Sequence, residues 1–243
     1  MTGAMRSLGL LALLMVASPA VRAEDPITLY FNDRPPFKMR LPDGSVGGIT
    51  AGPAAAAFAA AHIPVVWADV PASRQIDAVK NATTRTCAVG FYKTAQREAF
   101  AKFTDAVSTD GALTIFARKG FTVADHTTLE DLLAHKDYRI VIKQSNSYGD
   151  VIDRAISQAA VSIERIASNY DTIVKMIING RSDFTFISPE EITYYEKALN
   201  FDASAYRILD VAGLPPGERR HLMCSKGVED GVIARFNAAL AGK

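Results

Sequence analysis

The sequence predicts an α/β protein with mostly parallel sheets, because short β-rich apolar segments alternate with longer segments of helical periodicity. This alternation occurs twice, once in each half of the chain, which predicts two groups of strands and helices. The chain has 243 residues, of which 49% are hydrophobic, so it can form one large core or two small ones.

Local signals divide each half into elements. Pro35 and Pro36 end the first strand, because proline cannot donate to a strand ladder. The elements predicted in the first half are strand 27–31, helix 49–61, strand 64–70, helix 71–79 and strand 86–90. In the second half, residues 127–130 form a capping box and residues 145–147 cap the next helix. The later elements are strands 113–117, 139–143, 161–166, 183–187, 206–211 and 221–225, and helices from 127 and 147, at 171–178, 189–199 and 228–240.

Charge and motif content exclude several classes of protein. The formal net charge is +1, which argues against a nucleic-acid partner. The four histidines have no metal-ligand spacing, and neither a phosphate loop nor a hydrolase or metalloprotease motif occurs. We therefore expect no metal, no cofactor and no catalytic site.

Residues 1–23 have the features of an export signal. Arg6 supplies the positive start, residues 8–17 form a short apolar segment, and small residues precede a cleavage point after Ala23. The apolar segment is too short to span a bilayer comfortably. A membrane anchor is the alternative. We expect the mature protein to be exported and soluble.

The two cysteines, Cys87 and Cys224, both lie in apolar, strand-like segments. In an oxidising compartment they can form a disulfide. Two separate buried thiols are the alternative, because free cysteine packs well as a small apolar residue. The sequence leaves both open.

Residues 90–107 contain the best candidate for a binding group. Arg97 follows the end of a predicted strand, and open α/β sheets bind ligands beyond the carboxyl ends of their strands. Its planar guanidinium suits a carboxylate held by two parallel hydrogen bonds. The alternative is an arginine on the exposed side of a surface helix.

The element order and five segments resemble the family 3 periplasmic solute-binding proteins, whose best-known members deliver polar amino acids to ABC importers. The segments include a Thr-x-x-Arg motif at Thr94 and Arg97 and a Gly-Arg-x-Asp motif ending at Asp183. The five are 32–48, 94–105, 128–143, 180–183 and 221–240, and they cover nearly all of the mature chain. The sequence around the cysteines suggests a divergent branch.

The resemblance implies a periplasmic monomer with the two-lobe type II binding-protein fold. Lobe one would comprise residues 24–112 and 222–243, and lobe two residues 113–221. Two hinge strands, near 113–117 and 221–225, would join the lobes, which close on a small-molecule ligand. An ABC-type permease is the implied partner.

The resemblance also implies ligand-binding residues. Arg97 matches the arginine that clamps the carboxylate of the ligand, and Tyr92 and Thr94 lie on the loop before it. Asn146 and Ser147 match a pair at a helix N-terminus, where free N–H groups favour an anion. Helix capping is the alternative role for Ser147.

Five further positions concern the charge of the ligand. Ser188 replaces an aspartate that in the family pairs with the ligand ammonium, and Glu190 and Glu191 are expected to face solvent on the next helix. Arg34, where an aromatic residue often covers the ligand, and Arg74 are predicted to join Arg97 near the cleft, unless both are solvated surface charges. Together these features predict an anionic ligand without a free amine.

Two other functions remain open. Some proteins similar to this fold are exported dehydratases that use a pocket carboxylate as the acid, and Asp33 or Glu190 could fill that role. The chain could also sense a ligand for a membrane kinase or an exporter without any role in transport.

Overall fold

The computed structural model describes residues 24–144 and 146–242, so the predicted export signal at 1–23 lies outside the described residues. Within them, no helix is long and apolar enough to cross a membrane. The strands are Ile27–Phe31 (β1), Met39–Arg40 (β2), Val46–Gly47 (β3), Val65–Asp69 (β4), Thr86–Tyr92 (β5), Lys102–Phe103 (β6), Ser108–Thr109 (β7), Thr114–Arg118 (β8), Arg139–Lys143 (β9), Ser162–Ile166 (β10), Phe184–Ile187 (β11), Tyr206–Leu209 (β12) and Arg219–Cys224 (β13). The helices are Ala51–Ala60 (α1), Ala72–Asn81 (α2), Ala95–Glu98 (α3), Leu129–Ala134 (α4), Asp150–Ser157 (α5), Tyr170–Ile178 (α6), Pro189–Ala198 (α7) and Asp230–Ala241 (α8).

The first sheet has the order β4-β1-β5-β13-β6, with β7 also paired to β13. β1 is parallel to β4 and β5, because α1 and α2 return the chain to the same edge. β13 comes from the end of the chain and is antiparallel to β5. Phe58 of α1 packs against Phe236 of α8, with ring centroids 4.7 Å apart, which brings the terminal helix into the same core.

The second sheet has the order β10-β9-β11-β8-β12. β9 is parallel to β10 and β11, whereas β8 is antiparallel to β11 and β12. Both faces of this sheet are covered: Leu132 and Ile152 belong to the core on one face, and Ile173 and Ile192 to the core on the other. The predicted α/β fold with mixed sheets is confirmed. The sheets are not mostly parallel, however, because β13 is antiparallel to β5, β6 and β7, and β8 is antiparallel to β11 and β12.

The chain crosses between the sheets twice, at residues 110–113 and 210–218. The two segments run side by side, and the Asp110 N–H donates to the Glu218 carbonyl at 3.0 Å. A Cβ on Gly217 would lie 1.8 Å from the Asp110 carbonyl oxygen, so only glycine allows this approach.

The predicted hinge strands therefore need correction. Residues 114–117 lie in β8 within the second sheet, and residues 221–224 lie in β13 within the first. The crossings precede both strands, and β13 places residues 219–221 in the first sheet, although the predicted boundary assigned them to lobe two. Residues 210–218 belong to no helix or strand, so periodicity gave no signal for the second crossing.

Two predicted helix starts also shift. The capping box consists of Thr128 and Asp131 in place of Thr127 and Glu130, because aspartate at the third helical position reaches back to the N-cap. The N-cap of α5 is Gly149, with φ of 91°, and not a residue of 145–147.

Cys87 and Cys224 lie directly opposite each other on β5 and β13 and are joined by a disulfide. The bridge ties the returning terminal strand to the centre of the first sheet. We expect titration of the denatured, unreduced mature protein to find no free thiol. Two reactive thiols per chain would show that the residues are unpaired.

Candidate functional site

Strands from both sheets end at one cleft between the lobes. The cleft contains an outer cavity of about 640 Å³, an inner space of about 30 Å³ and a rear cavity of about 330 Å³. Arg97, Asn146 and Ser147 line both the outer cavity and the inner space, while Asn32 and Ala72 line both the inner space and the rear cavity. This location agrees with the rule that ligands bind beyond the carboxyl ends of parallel strands.

Arg97 lies in the wall between the outer cavity and the inner space and is only 9% exposed. It donates to the Tyr92 carbonyl at 2.9 Å, and its guanidinium lies 5.1 Å from the Phe91 ring centroid. Burial lowers the pKa of Arg97. Arg97 takes part in none of the ion pairs among the described residues, so its remaining N–H groups can serve an anion.

Tyr92 belongs to a buried network with Asp110 and Arg220. Arg220 forms a two-point ion pair with Asp110, with 2.7 Å between Nε and Oδ1, and it also donates to the Gly90 carbonyl at 2.9 Å. The Tyr92 hydroxyl donates to Asp110 at 2.7 Å, and burial raises the Tyr92 pKa. The network fixes the end of β5, from which the chain turns into α3 and Arg97.

Lys38 is a buried cation that lines the inner space. Its ammonium donates to the Val89 carbonyl at 2.9 Å and lies 5.4 Å from the Phe91 ring centroid. Burial lowers the Lys38 pKa well below its ordinary value, and the nearby charges of Arg220 and Arg34 lower it further. An anion bound beside Lys38 would favour its charged form.

This environment predicts proton uptake on binding. A carboxylate in the inner space should raise the pKa of Lys38. At a pH between the Lys38 pKa of the free protein and that of the complex, each binding event should therefore take up a proton. Affinity should then fall as the pH rises through that interval. Calorimetry in buffers of different ionisation enthalpy measures the uptake.

The matched variants for this prediction are Lys38→Met and Lys175→Met. Lys38→Met should abolish proton uptake, whereas Lys175→Met, which removes an exposed lysine of α6, should leave it unchanged. Equal uptake in wild type and Lys38→Met would assign the proton to another group.

Arg34 connects the two lobes through Glu191. Its guanidinium forms a two-point ion pair with the carboxylate, at 2.8 and 3.0 Å, and the Glu191 side chain is 0% exposed. The prediction that Glu191 faces solvent is therefore wrong. A capping interaction turns its side chain inward, and a partner from the other lobe neutralises it.

Ser188 has a local role in this arrangement. It is the N-cap of α7, accepting from the Glu191 N–H at 3.2 Å while its own hydroxyl donates to the Glu191 carboxylate. Ser188 is fully buried and lines none of the three spaces of the cleft. The structure thus gives Ser188 a capping role at the start of α7.

Asn146 and Ser147 reach the cleft from the loop between β9 and α5. Asn146 donates to the Tyr170 hydroxyl at 2.9 Å, and the Ser147 hydroxyl donates to Asp153. Asp153 also accepts from the Tyr148 N–H at 2.9 Å, so this carboxylate organises the loop. Both predicted residues line the inner space, although neither is the N-cap.

The remaining predicted residues differ in their placement. Thr94 is the N-cap of α3 and lines the outer cavity, whereas Arg74 is exposed on α2 and lines no space of the cleft. Asp33 is exposed at the rear cavity. Glu190 is half-buried and accepts from the Gly111 N–H at 3.0 Å, at the first crossing.

Residues 27–170 match the bacterial extracellular solute-binding proteins, family 3. The chain belongs to this family. No curated protein sequence matches it.

Solved structures extend the comparison of this family 3 protein to the whole fold. An ancestral arginine-binding protein bound to arginine has a TM-score of 0.68 and 18% identity, with 89% of this chain and 91% of that chain covered. The substrate-binding protein of an amino acid ABC transporter has a TM-score of 0.69 and 15% identity, covering 89% and 91%. An ancestral amino-acid-binding protein that is a precursor of cyclohexadienyl dehydratase has a TM-score of 0.66 and 18% identity, covering 89% and 88%. These similarities establish the two-lobe periplasmic binding-protein fold.

The sequence pointed to neither Lys38 nor Arg220, which line the inner space, and it did not reveal the buried ion-pair partners Asp110 and Glu191. Arg220 could have been recognised from the sequence, because it precedes an apolar strand segment. In the structure β13 begins at Arg219, and Arg220 is buried. Lys38 follows the proline turn after β1, and its ammonium reaches the Val89 carbonyl of β5. The pairings of Asp110 and Glu191 join residues 110 and 157 positions apart, so local pattern could not reveal them.

Proposed function

We propose that this family 3 protein is an exported solute-binding protein that captures a small anionic solute, bearing at least one carboxylate, between its lobes. The observation that carries the proposal is the charge of the inner space. Four of its lining residues are basic, namely Arg34, Lys38, Arg97 and Arg220, and no described residue that lines it is acidic.

The ion pairs identify which of these cations would bind the solute. Glu191 and Asp110 neutralise Arg34 and Arg220, respectively. Arg97 and Lys38 form no ion pair within the described part of the chain. We therefore assign the carboxylate to Arg97, with Lys38 as the second cation.

The same pairs argue against a solute with a free α-amine. An ammonium next to the bound carboxylate would need a buried acid, and the buried acids Glu191 and Asp110 are already paired with Arg34 and Arg220. Leaving an ammonium opposite only hydroxyls and amides has a desolvation cost of several kcal/mol. The sequence predicted from Ser188 that the cleft has no ammonium site. We now attribute that property to the pairing of Glu191 with Arg34.

Entry of the solute requires the lobes to separate. The inner space of about 30 Å³ holds about one water molecule, which is too little for a carboxylic acid. The Arg34–Glu191 pair joins the lobes across this space and must break when the cleft opens. A hinge motion at residues 110–113 and 210–218 would provide that opening.

We further propose a binding role in ABC-type import and no enzymatic activity. The solved relative from an amino acid ABC transporter supports the transport role. A dehydratase would need an acid beside the solute, but Asp33 lies at the rear cavity and Glu190 at the first crossing. An assay on prephenate-like substrates should show no turnover. A purely sensory role would use the same cleft.

A thermal-shift screen of the mature protein tests the proposed solute class. Small carboxylates should raise the melting temperature, because a ligand that binds only the native state stabilises it by mass action. Cationic and zwitterionic compounds of the same size should have smaller effects. Stabilisation by cations alone would contradict the proposal.

A further inference from the structure

The side chain of Arg34 has the surroundings that a bound guanidinium ligand would need. Its guanidinium carbon lies 4.6 Å from the Tyr170 ring centroid and 5.3 Å from that of Phe37. Its nitrogens meet both oxygens of Glu191 at 2.8 and 3.0 Å. Aromatic faces and a two-point carboxylate contact are the two interactions that favour a planar guanidinium most strongly.

The groups around Arg34 are held by contacts that do not involve Arg34. The Tyr170 hydroxyl accepts from Asn146 at 2.9 Å, and the Glu191 carboxylate accepts from the hydroxyl of Ser188. Phe37 is 2% exposed and contributes its backbone carbonyl to the start of α1. Each of these groups should therefore keep its place within its own lobe when the Arg34 side chain is removed.

We propose that Phe37, Tyr170 and Glu191 form a guanidinium cage that the chain fills with its own Arg34 when the lobes are together. By occupying the cage, Arg34 excludes solutes with a guanidinium or ammonium group and makes the cleft selective for anions. The selectivity rests on the proposed capture of an anion, whereas the cage itself does not.

The proposal predicts a new ligand for a truncated protein. Arg34→Ala leaves the buried Glu191 carboxylate and the two aromatic rings without the guanidinium they surround, and a guanidinium ion from solution can replace the missing group. We expect millimolar guanidinium chloride, far below denaturing concentrations, to raise the melting temperature of Arg34→Ala. Sodium chloride at the same concentration should not, and wild type should respond to neither.

Two further variants test the identity of the site. Adding Glu191→Gln to Arg34→Ala should weaken the guanidinium response at least about tenfold, because the cage loses its charge. Arg74→Ala, which removes an exposed arginine from the same lobe, should behave like wild type. If Arg34→Ala does not fold in buffer, recovery of folding with guanidinium and not with sodium chloride is the equivalent result.

The proposal is overturned if guanidinium neither stabilises nor refolds Arg34→Ala, or if the response is equally strong after Glu191→Gln. Carboxylate binding to wild type is measured separately. Failure of the cage with intact carboxylate binding leaves the proposed function in place, and a guanidinium response without any carboxylate binding leaves the cage in place and removes the proposed function.

Discussion

Arg97→Ala is expected to weaken carboxylate binding by about a hundredfold or more, which corresponds to about 3 kcal/mol. The side chain is nearly buried, donates to the Tyr92 carbonyl, and lines both the outer cavity and the inner space. Truncation would leave the carboxylate buried without its charged, two-point partner. Isothermal titration calorimetry on wild type and variant measures the loss.

Arg74→Ala and Arg97→Lys are the controls for this prediction. Arg74 is an exposed arginine of the same lobe, so its removal should change the affinity little. Arg97→Lys keeps the charge but loses the planar fork, and its affinity should lie between those of wild type and Arg97→Ala. If Arg97→Ala binds as wild type does, the carboxylate lies elsewhere.

Asp110→Ala is expected to destabilise the protein by about 3–5 kcal/mol, because it leaves the buried Arg220 guanidinium without its counter-charge. The side chains of Arg220 and Asp110 are 7% and 1% exposed. The change also removes the acceptor of the Tyr92 hydroxyl. Urea unfolding at equilibrium gives the free energy of unfolding for comparison with wild type.

Asp171→Ala is the matched control, since it breaks an exposed ion pair with Lys175 on α6. Its cost should be roughly 0.3–0.5 kcal/mol. Replacing both Asp110 and Arg220 with apolar residues should recover part of the stability that Asp110→Ala loses. A similar, small loss in Asp110→Ala and Asp171→Ala would show that Arg220 is solvated or paired differently.

Much of the fold followed from local pattern, because periodicity and turn residues are encoded over a few positions. β1 and β9 have the predicted bounds, and α7 begins at the predicted Pro189. The crossings between the sheets were less accessible. The second crossing passes beside the first because Gly217 can approach the Asp110 carbonyl oxygen closely. Such a contact between distant segments is not visible in local sequence pattern.

The direction of individual side chains was harder to predict. Arg74 and Gln75 are neighbours on α2, yet Arg74 is exposed whereas Gln75 is fully buried and donates to Asn32. Each step of one residue along a helix turns the side-chain direction by about 100°. An error of one residue in the predicted helix face therefore moves a side chain from the core to the surface. Glu191 was misplaced for a different reason, because its partner Arg34 comes from the other lobe.

Calorimetric titration of wild type with a carboxylic acid and its matching α-amino acid tests the central claim most directly. The two compounds differ only by the amine, and the described residues that line the inner space offer Arg97 and Lys38 to the carboxylate but no acidic group to an ammonium. We expect the carboxylic acid to bind more tightly. Tight binding of the amino acid with no binding of its deaminated analogue would contradict the account.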